Sequence, residues 1–172
     1  MTTETSSSGS QVSTAVSSTE ARPHPLVIIL GSALYTGFAP VASGTAGSLA
    51  ALILYWIIPG FSSWYFLLPA ALLFFLAGIP TASRMQRFYG PDPSEVVLDE
   101  VVGMWIALVF VPPVWYLSVL SFLVFRFFDI VKPQPARYFD RIESGFGIMM
   151  DDVVAGLYAN LVVQIAALLL FR

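Results

Sequence analysis

"VVGMWIALVFVPPVWYLSVLSFLVF", residues 101–125, is an unbroken apolar run with two prolines at its centre. By hydropathy alone it reads as one helix, and it is long enough to cross a membrane. The prolines argue otherwise. Neither offers a backbone N–H, and Pro113 also steers Pro112 away from helical geometry. The run is therefore read as two antiparallel helices, about 97–111 and 114–130, joined by a tight turn, the first shorter than a full span. The choice decides where charge falls. A single helix puts Asp99 and Glu100 on the opposite side of a membrane from Asp129, whereas a hairpin returns all three to one side.

The basic residues arbitrate. Arg84 and Arg87 lie in a polar stretch read as a loop over 81–100, and Arg126, Lys132, Arg137 and Arg141 lie around 126–150. The hairpin places both loops on the cytoplasmic side, as the excess of Lys and Arg in cytoplasmic loops requires; a single span splits them. Composition supports a membrane setting. Of 172 residues 57% are hydrophobic and 11% charged, with a mean hydropathy of +0.79, against roughly 25% charged in soluble domains.

Outward from the hairpin, residues 152–171 form a last helix leaving the cytoplasmic face, and 44–59 and 62–80 form a pair turning at Pro59-Gly60. The stretch 25–41, interrupted by Gly31, Gly37 and Pro40, is read as a short spanning, re-entrant or interfacial helix. Residues 1–22 are rich in Ser and Thr and are expected to be a disordered tail, without the basic start and apolar run of a signal peptide. The expected fold is all-α: a polytopic membrane helical bundle, residues 23–172, with a helical hairpin broken at Pro112-Pro113.

Absences narrow the chemistry. There is no cysteine, hence no disulfide, Cys metal site or thiol nucleophile. The only histidine, His24, borders the polar tail and is read as solvated, so no histidine pair is available. What remains is four polar clusters at the cytoplasmic helix ends: Asp99-Glu100, "FRFFDIVKPQPARYFDR" (125–141), "GIMMDDVVAG" (147–156) and "GTAGS" (44–48). Carboxylates near helix N-termini interact well with the dipole. That accounts for one acid per helix, but not for adjacent pairs, nor for Asp129 at a helix C-terminus.

Asp99, Glu100, Asp129, Asp151 and Asp152 on one face repel each other unless cations intervene, and oxygen donors without His or Cys select Mg2+ or a similar ion. Adjacent helical residues point about 100° apart, so one of each pair is expected to meet the metal directly. Lys132, Arg137 and Arg141 read either as topology markers at the lipid headgroups or as a clamp for an anionic substrate. In "GTAGS", Thr45 and Ser48 read either as close-packing residues or as weak phosphate-side candidates. Metal carboxylates, basic residues and a membrane location together point to phosphate-ester chemistry on a lipid, by a metal-activated water.

"GTAGSLAA" (44–51), "LDEVVGMWIAL" (98–108), "FRFFDIVKPQPARYFDR" and "GFGIMMDDVVAG" (145–156) resemble, in order and spacing, the phosphatidylglycerophosphatase A family of bacterial inner membranes, over about 26–171. The resemblance implies Mg2+-dependent removal of the terminal phosphate of phosphatidylglycerophosphate, giving phosphatidylglycerol and phosphate, at the cytoplasmic face of a multi-pass protein. The family's acidic motif falls on Asp99, Glu100, Asp129, Asp151 and Asp152, and its basic motif on Lys132, Arg137 and Arg141. The expected partners are the phospholipid substrate and membrane lipids, with no nucleic acid. The rival expectation is a divalent-cation transporter or channel, whose acids should lie near mid-membrane.

Overall fold

A computed structural model describes residues 22–91 and 93–171. Apart from Arg22, the tail expected over 1–22 lies outside them. The described residues form α1 (Pro25–Gly31), a 3-10 helix (Thr36–Phe38), α2 (Ser43–Ile57), α3 (Trp64–Tyr89), α4 (Leu98–Leu108), α5 (Trp115–Val131), α6 (Ala136–Asp140) and α7 (Gly145–Leu170), with no strand among them. The fold is all-helical. Two helices, α3 and α7, are long and apolar enough to cross a membrane. Leu72, Leu73, Leu76, Leu123, Leu161 and Leu168 face outward. Water would penalise so continuous an apolar exterior, whereas lipid does not.

The hairpin is present. α4 stops at Leu108, Phe110 takes a left-handed conformation (φ 60°), and the chain re-enters helix at Trp115. At about 1.5 Å per residue α4 is only about 16 Å long, half a bilayer core. Its C-terminal carbonyls therefore end deep in the bundle and need donors. Asn160 of α7 provides them: its Nδ2 donates to the carbonyls of Ile106 (3.1 Å), Ala107 (3.2 Å) and Val109 (2.6 Å). An irregular turn can persist at this depth because protein groups satisfy it.

Two expected boundaries are corrected. The loop expected over 81–100 begins at Gly90, because α3 continues through Pro80 to Tyr89. Thr81 Oγ1 donates to the Ala77 carbonyl (2.7 Å) and Ser83 Oγ to that of Ile79 (2.8 Å), bracketing the interruption at Pro80. The chain leaves α3 through Gly90, whose φ of +107° few side chains tolerate. The last helix begins at Gly145 rather than about 152, with Ser144 Oγ accepting from the Gly147 N–H. Asp151 and Asp152 thus sit two turns inside α7, and capping no longer describes them. The 25–41 stretch holds only the seven-residue α1 and a 3-10 turn, too short to span.

α2, α4 and α7 run in one direction, and α3 and α5 return. α4 and α7 lie side by side with contacts repeating every fourth residue. Asp99 stands near Asp152, Gly103 meets Gly156, and Asn160 reaches Ala107. The glycines set this approach. A Cβ at Gly156 would lie 2.4 Å from the Gly103 carbonyl oxygen, and one at Gly103 2.7 Å from that of Asp152. Small residues at this spacing let helix backbones touch.

Candidate active site

That backbone contact brings carboxylates together. Asp99 and Glu100 occupy the first turn of α4, and Asp152 stands one turn before Gly156 on α7. Each presents one oxygen within 4.8 Å of the other two. Asp99 Oδ1, Glu100 Oε2 and Asp152 Oδ2 are buried without a hydrogen-bond partner. None of the three acids makes an ion pair with a described residue. Buried carboxylate oxygens without partners are costly unless something positive completes them.

The other two acids are already paired. Asp129, in the last turn of α5, receives the Arg126 guanidinium at 2.6 Å. Asp151 is held on both oxygens: Lys132 Nζ lies 2.7 Å from Oδ2, and the Asp152 N–H donates to Oδ1 at 3.0 Å. The adjacent aspartates of α7 thus divide their tasks, one toward Asp99 and Glu100 and one toward Lys132. The 100° step of a helix produces that division.

Lys132 leaves α5 in a left-handed conformation (φ 47°) that turns the chain toward α6. Its ammonium also contacts Asp140. Burial works against the charged amine, but Asp151 and Asp140 outweigh it and hold the Lys132 pKa above its usual value. The Pro133–Pro135 segment that follows is tied to α7 by the Tyr158 hydroxyl, which donates to the Gln134 carbonyl at 2.6 Å.

All five acids, Lys132, Asp140, Arg141 and Glu143 line one cavity of about 420 Å3, which Ser43, Gln86 and Ser94 help to close. Its carboxylates far outnumber its cations, so the cavity as built attracts positive charge. Arg137 is exposed on α6 and does not line it. Nor do Thr45 and Ser48. Ser48 is fully buried, its hydroxyl donating to the Gly44 carbonyl at 2.8 Å and accepting from Arg126 at 3.5 Å. The "GTAGS" segment packs closely: a Cβ on Gly44 would lie 2.2 Å from Glu100 Oε1, and one on Gly47 2.8 Å from Val97 Cβ.

Arg126 is the site residue that the sequence reading passed over. It holds Asp129 and stands beside Glu100 at the Gly44 contact. A basic residue within "FLVFRFFDIV", three positions before an aspartate, was the available signal. Asp140 was visible in its cluster but had no role assigned.

Residues 29–167 match the family model described as Phosphatidylglycerophosphatase A. A Haemophilus influenzae protein of that name is 41% identical, the match covering 81% of this chain and 85% of the relative. An Escherichia coli protein of the same name is 38% identical, covering 77% and 76%. A Bacteroides thetaiotaomicron protein named "Putative phosphatidylinositol-3-phosphatase" is 44% identical, covering 84% of this chain and 96% of the relative. No solved structure matches.

Proposed function

Since the chain belongs to the phosphatidylglycerophosphatase A family, we propose that it is a membrane lipid phosphatase. It releases the terminal phosphate of phosphatidylglycerophosphate in a Mg2+-dependent hydrolysis. The observation that carries the reading is the cluster of Asp99, Glu100 and Asp152, three hard oxygen donors gathered within 4.8 Å, each with a buried oxygen that has no hydrogen-bond partner among the described residues. The donor set fits Mg2+ and offers nothing to a softer ion. These three residues would hold it, with Asp129 and Asp151 at the flanks. When bound, such an ion polarises a phosphoryl oxygen and lowers the pKa of water.

The chain's own groups do the rest. Lys132 and Arg141 draw the phosphate into the cavity and bind its oxygens. One water is consumed: its oxygen bonds to phosphorus, the phosphorus–oxygen bond to glycerol breaks, and a proton ends on the released alcohol. A carboxylate of the cluster accepts the water's proton. The apolar exterior keeps the acyl chains in lipid while both phosphates sit at the headgroup level. On this reading the acid-bearing ends face the cytoplasm of the inner membrane, where Arg84, Arg87, Arg137 and Arg141 gather.

The name of the Bacteroides relative favours a second substrate of the same chemistry, a phosphomonoester on an inositol headgroup. The transporter alternative fits less well, because the acids sit together at one end of the bundle rather than along it. The test is phosphate release by purified protein from phosphatidylglycerophosphate, phosphatidylinositol 3-phosphate and soluble glycerol phosphate, with Mg2+ and with EDTA. Release from phosphatidylglycerophosphate that stops with EDTA and returns with Mg2+ is expected. Activity indifferent to chelation, or confined to the inositol lipid, would overturn the assignment.

A further inference from the structure

Lys132 carries two carboxylate partners of unequal permanence. Asp151 is 8% exposed, sits inside α7 and has its second oxygen fixed by a backbone N–H. Asp140 is 37% exposed and ends the five-residue helix α6, and among the described residues its carboxylate pairs only with the Lys132 ammonium. Exposed ion pairs are individually weak, whereas breaking a buried one leaves a stranded charge. The bond to Asp140 is therefore the one that yields when another anion arrives.

Asp140 is the more exposed of the two Lys132 partners, so it is the one open to competition by a phosphate from solvent. Carboxylate and phosphate are both oxyanions seeking the same ammonium, and Lys132, Asp140 and Arg141 all line the cavity. While Asp140 is in place, the ammonium lies between two negative charges and has little attraction left for a third. With Asp140 turned out to solvent, the Lys132 ammonium and the Arg141 guanidinium face the cavity together.

Building on the lipid phosphatase reading, we propose that Asp140 is a placeholder for the substrate's phosphate: it occupies Lys132 in the empty site and is displaced when the phosphomonoester binds. Asp140 then sets affinity for the phosphate without taking part in its hydrolysis. It also limits retention of the product, since inorganic phosphate must compete with it to remain.

The test is Asp140→Asn, with Asp140→Glu as the charge-preserving control, in purified full-length protein at saturating Mg2+. Removing a competing exposed carboxylate should lower KM for phosphatidylglycerophosphate about two- to fivefold. Inhibition by inorganic phosphate should tighten by the same factor, with kcat unchanged. Asp140→Glu should keep wild-type values. A raised KM in Asp140→Asn would mean that Asp140 orients Lys132, and a collapsed kcat would place it in the chemistry; either overturns the proposal. Inorganic phosphate binding by calorimetry needs no turnover and keeps the two readings apart. If the wild type cleaves no lipid, the functional assignment fails. Tighter phosphate binding by Asp140→Asn would still support the placeholder, and unchanged or weaker binding would still overturn it.

Discussion

Gly156→Ala tests whether the α4–α7 backbone contact sets the spacing of the acids. The new Cβ would lie 2.4 Å from the Gly103 carbonyl oxygen and 3.1 Å from its carbon, where ordinary contact begins at 3.4 Å. Both obstacles are backbone, so no side chain can swing aside and the helices must part by about 1 Å. Asp99 and Asp152 each stand four residues, about 6 Å, from this contact, so the separation reaches the cluster almost undiminished. For the proposed Mg2+ site, ligands are needed at about 2.0–2.1 Å in a near-octahedral set, so a 1 Å spread would lose at least one of them. The Mg2+ concentration for half-maximal phosphate release should therefore rise about tenfold or more. The value of kcat should fall on the order of 100-fold. Overpacking should lower stability by about 1–3 kcal/mol, which leaves a folded protein whose helix content and elution in detergent can be checked. Leu157→Ala, at a neighbouring exposed position, should leave the Mg2+ response unchanged. A folded Gly156→Ala protein with wild-type kcat and Mg2+ dependence would refute the reasoning.

Three further outcomes follow from the same geometry. Asp152→Asn should abolish activity and weaken Mn2+ or Mg2+ binding measured directly by calorimetry. Asp151→Asn should keep metal binding but raise KM, because the Lys132 ammonium loses the buried carboxylate that fixes its position in the cavity; identical behaviour of the two variants would contradict the division of tasks on α7. Arg126→Met should destabilise the protein by about 3 kcal/mol in thermal unfolding, since Asp129 loses its partner in a largely buried site, with partial recovery in Arg126→Lys. Asn160→Leu takes the side-chain donor from the Ala107 and Val109 carbonyls, while that of Ile106 keeps the Val109 N–H, and should cost about 1–2 kcal/mol in a detergent unfolding assay. Equal stability of that variant would show that the turn satisfies itself by other means.

The turn that decides the fold was legible because two successive prolines leave little choice, and the distribution of Arg and Lys said which ends meet. Helix ends near Pro80 and Gly145 were not. A proline usually marks a boundary in water, but α3 carries Pro80 through with the Thr81 and Ser83 hydroxyls beside it. "GFG" looks like a loop, yet its glycines sit inside α7 because a Cβ on Gly145 would fall 2.2 Å from the Ile79 carbonyl oxygen, and one on Gly147 2.1 Å from that of Ile142. The acids could be chosen from charge economy, since five carboxylates at one membrane surface demand cations. How they are apportioned could not, because that depends on side-chain directions at the ends of α4, α5 and α7. The role of Arg126 was hidden by the same limit.

The Gly103–Gly156 contact has a mechanical consequence. Among the described helices only α3 and α7 are long and apolar enough to register a change in bilayer thickness, and they would answer it by tilting. α7 carries Asp151 and Asp152, so its tilt bears directly on the acids. Its fulcrum against α4 lies only about 6 Å from Asp152, whereas the far end of α7 lies about 20 Å beyond the fulcrum. A tilt of ~3° moves that far end by about 1 Å and the carboxylate by only about 0.3 Å. The short arm of the lever faces the chemistry, and the long arm absorbs the membrane.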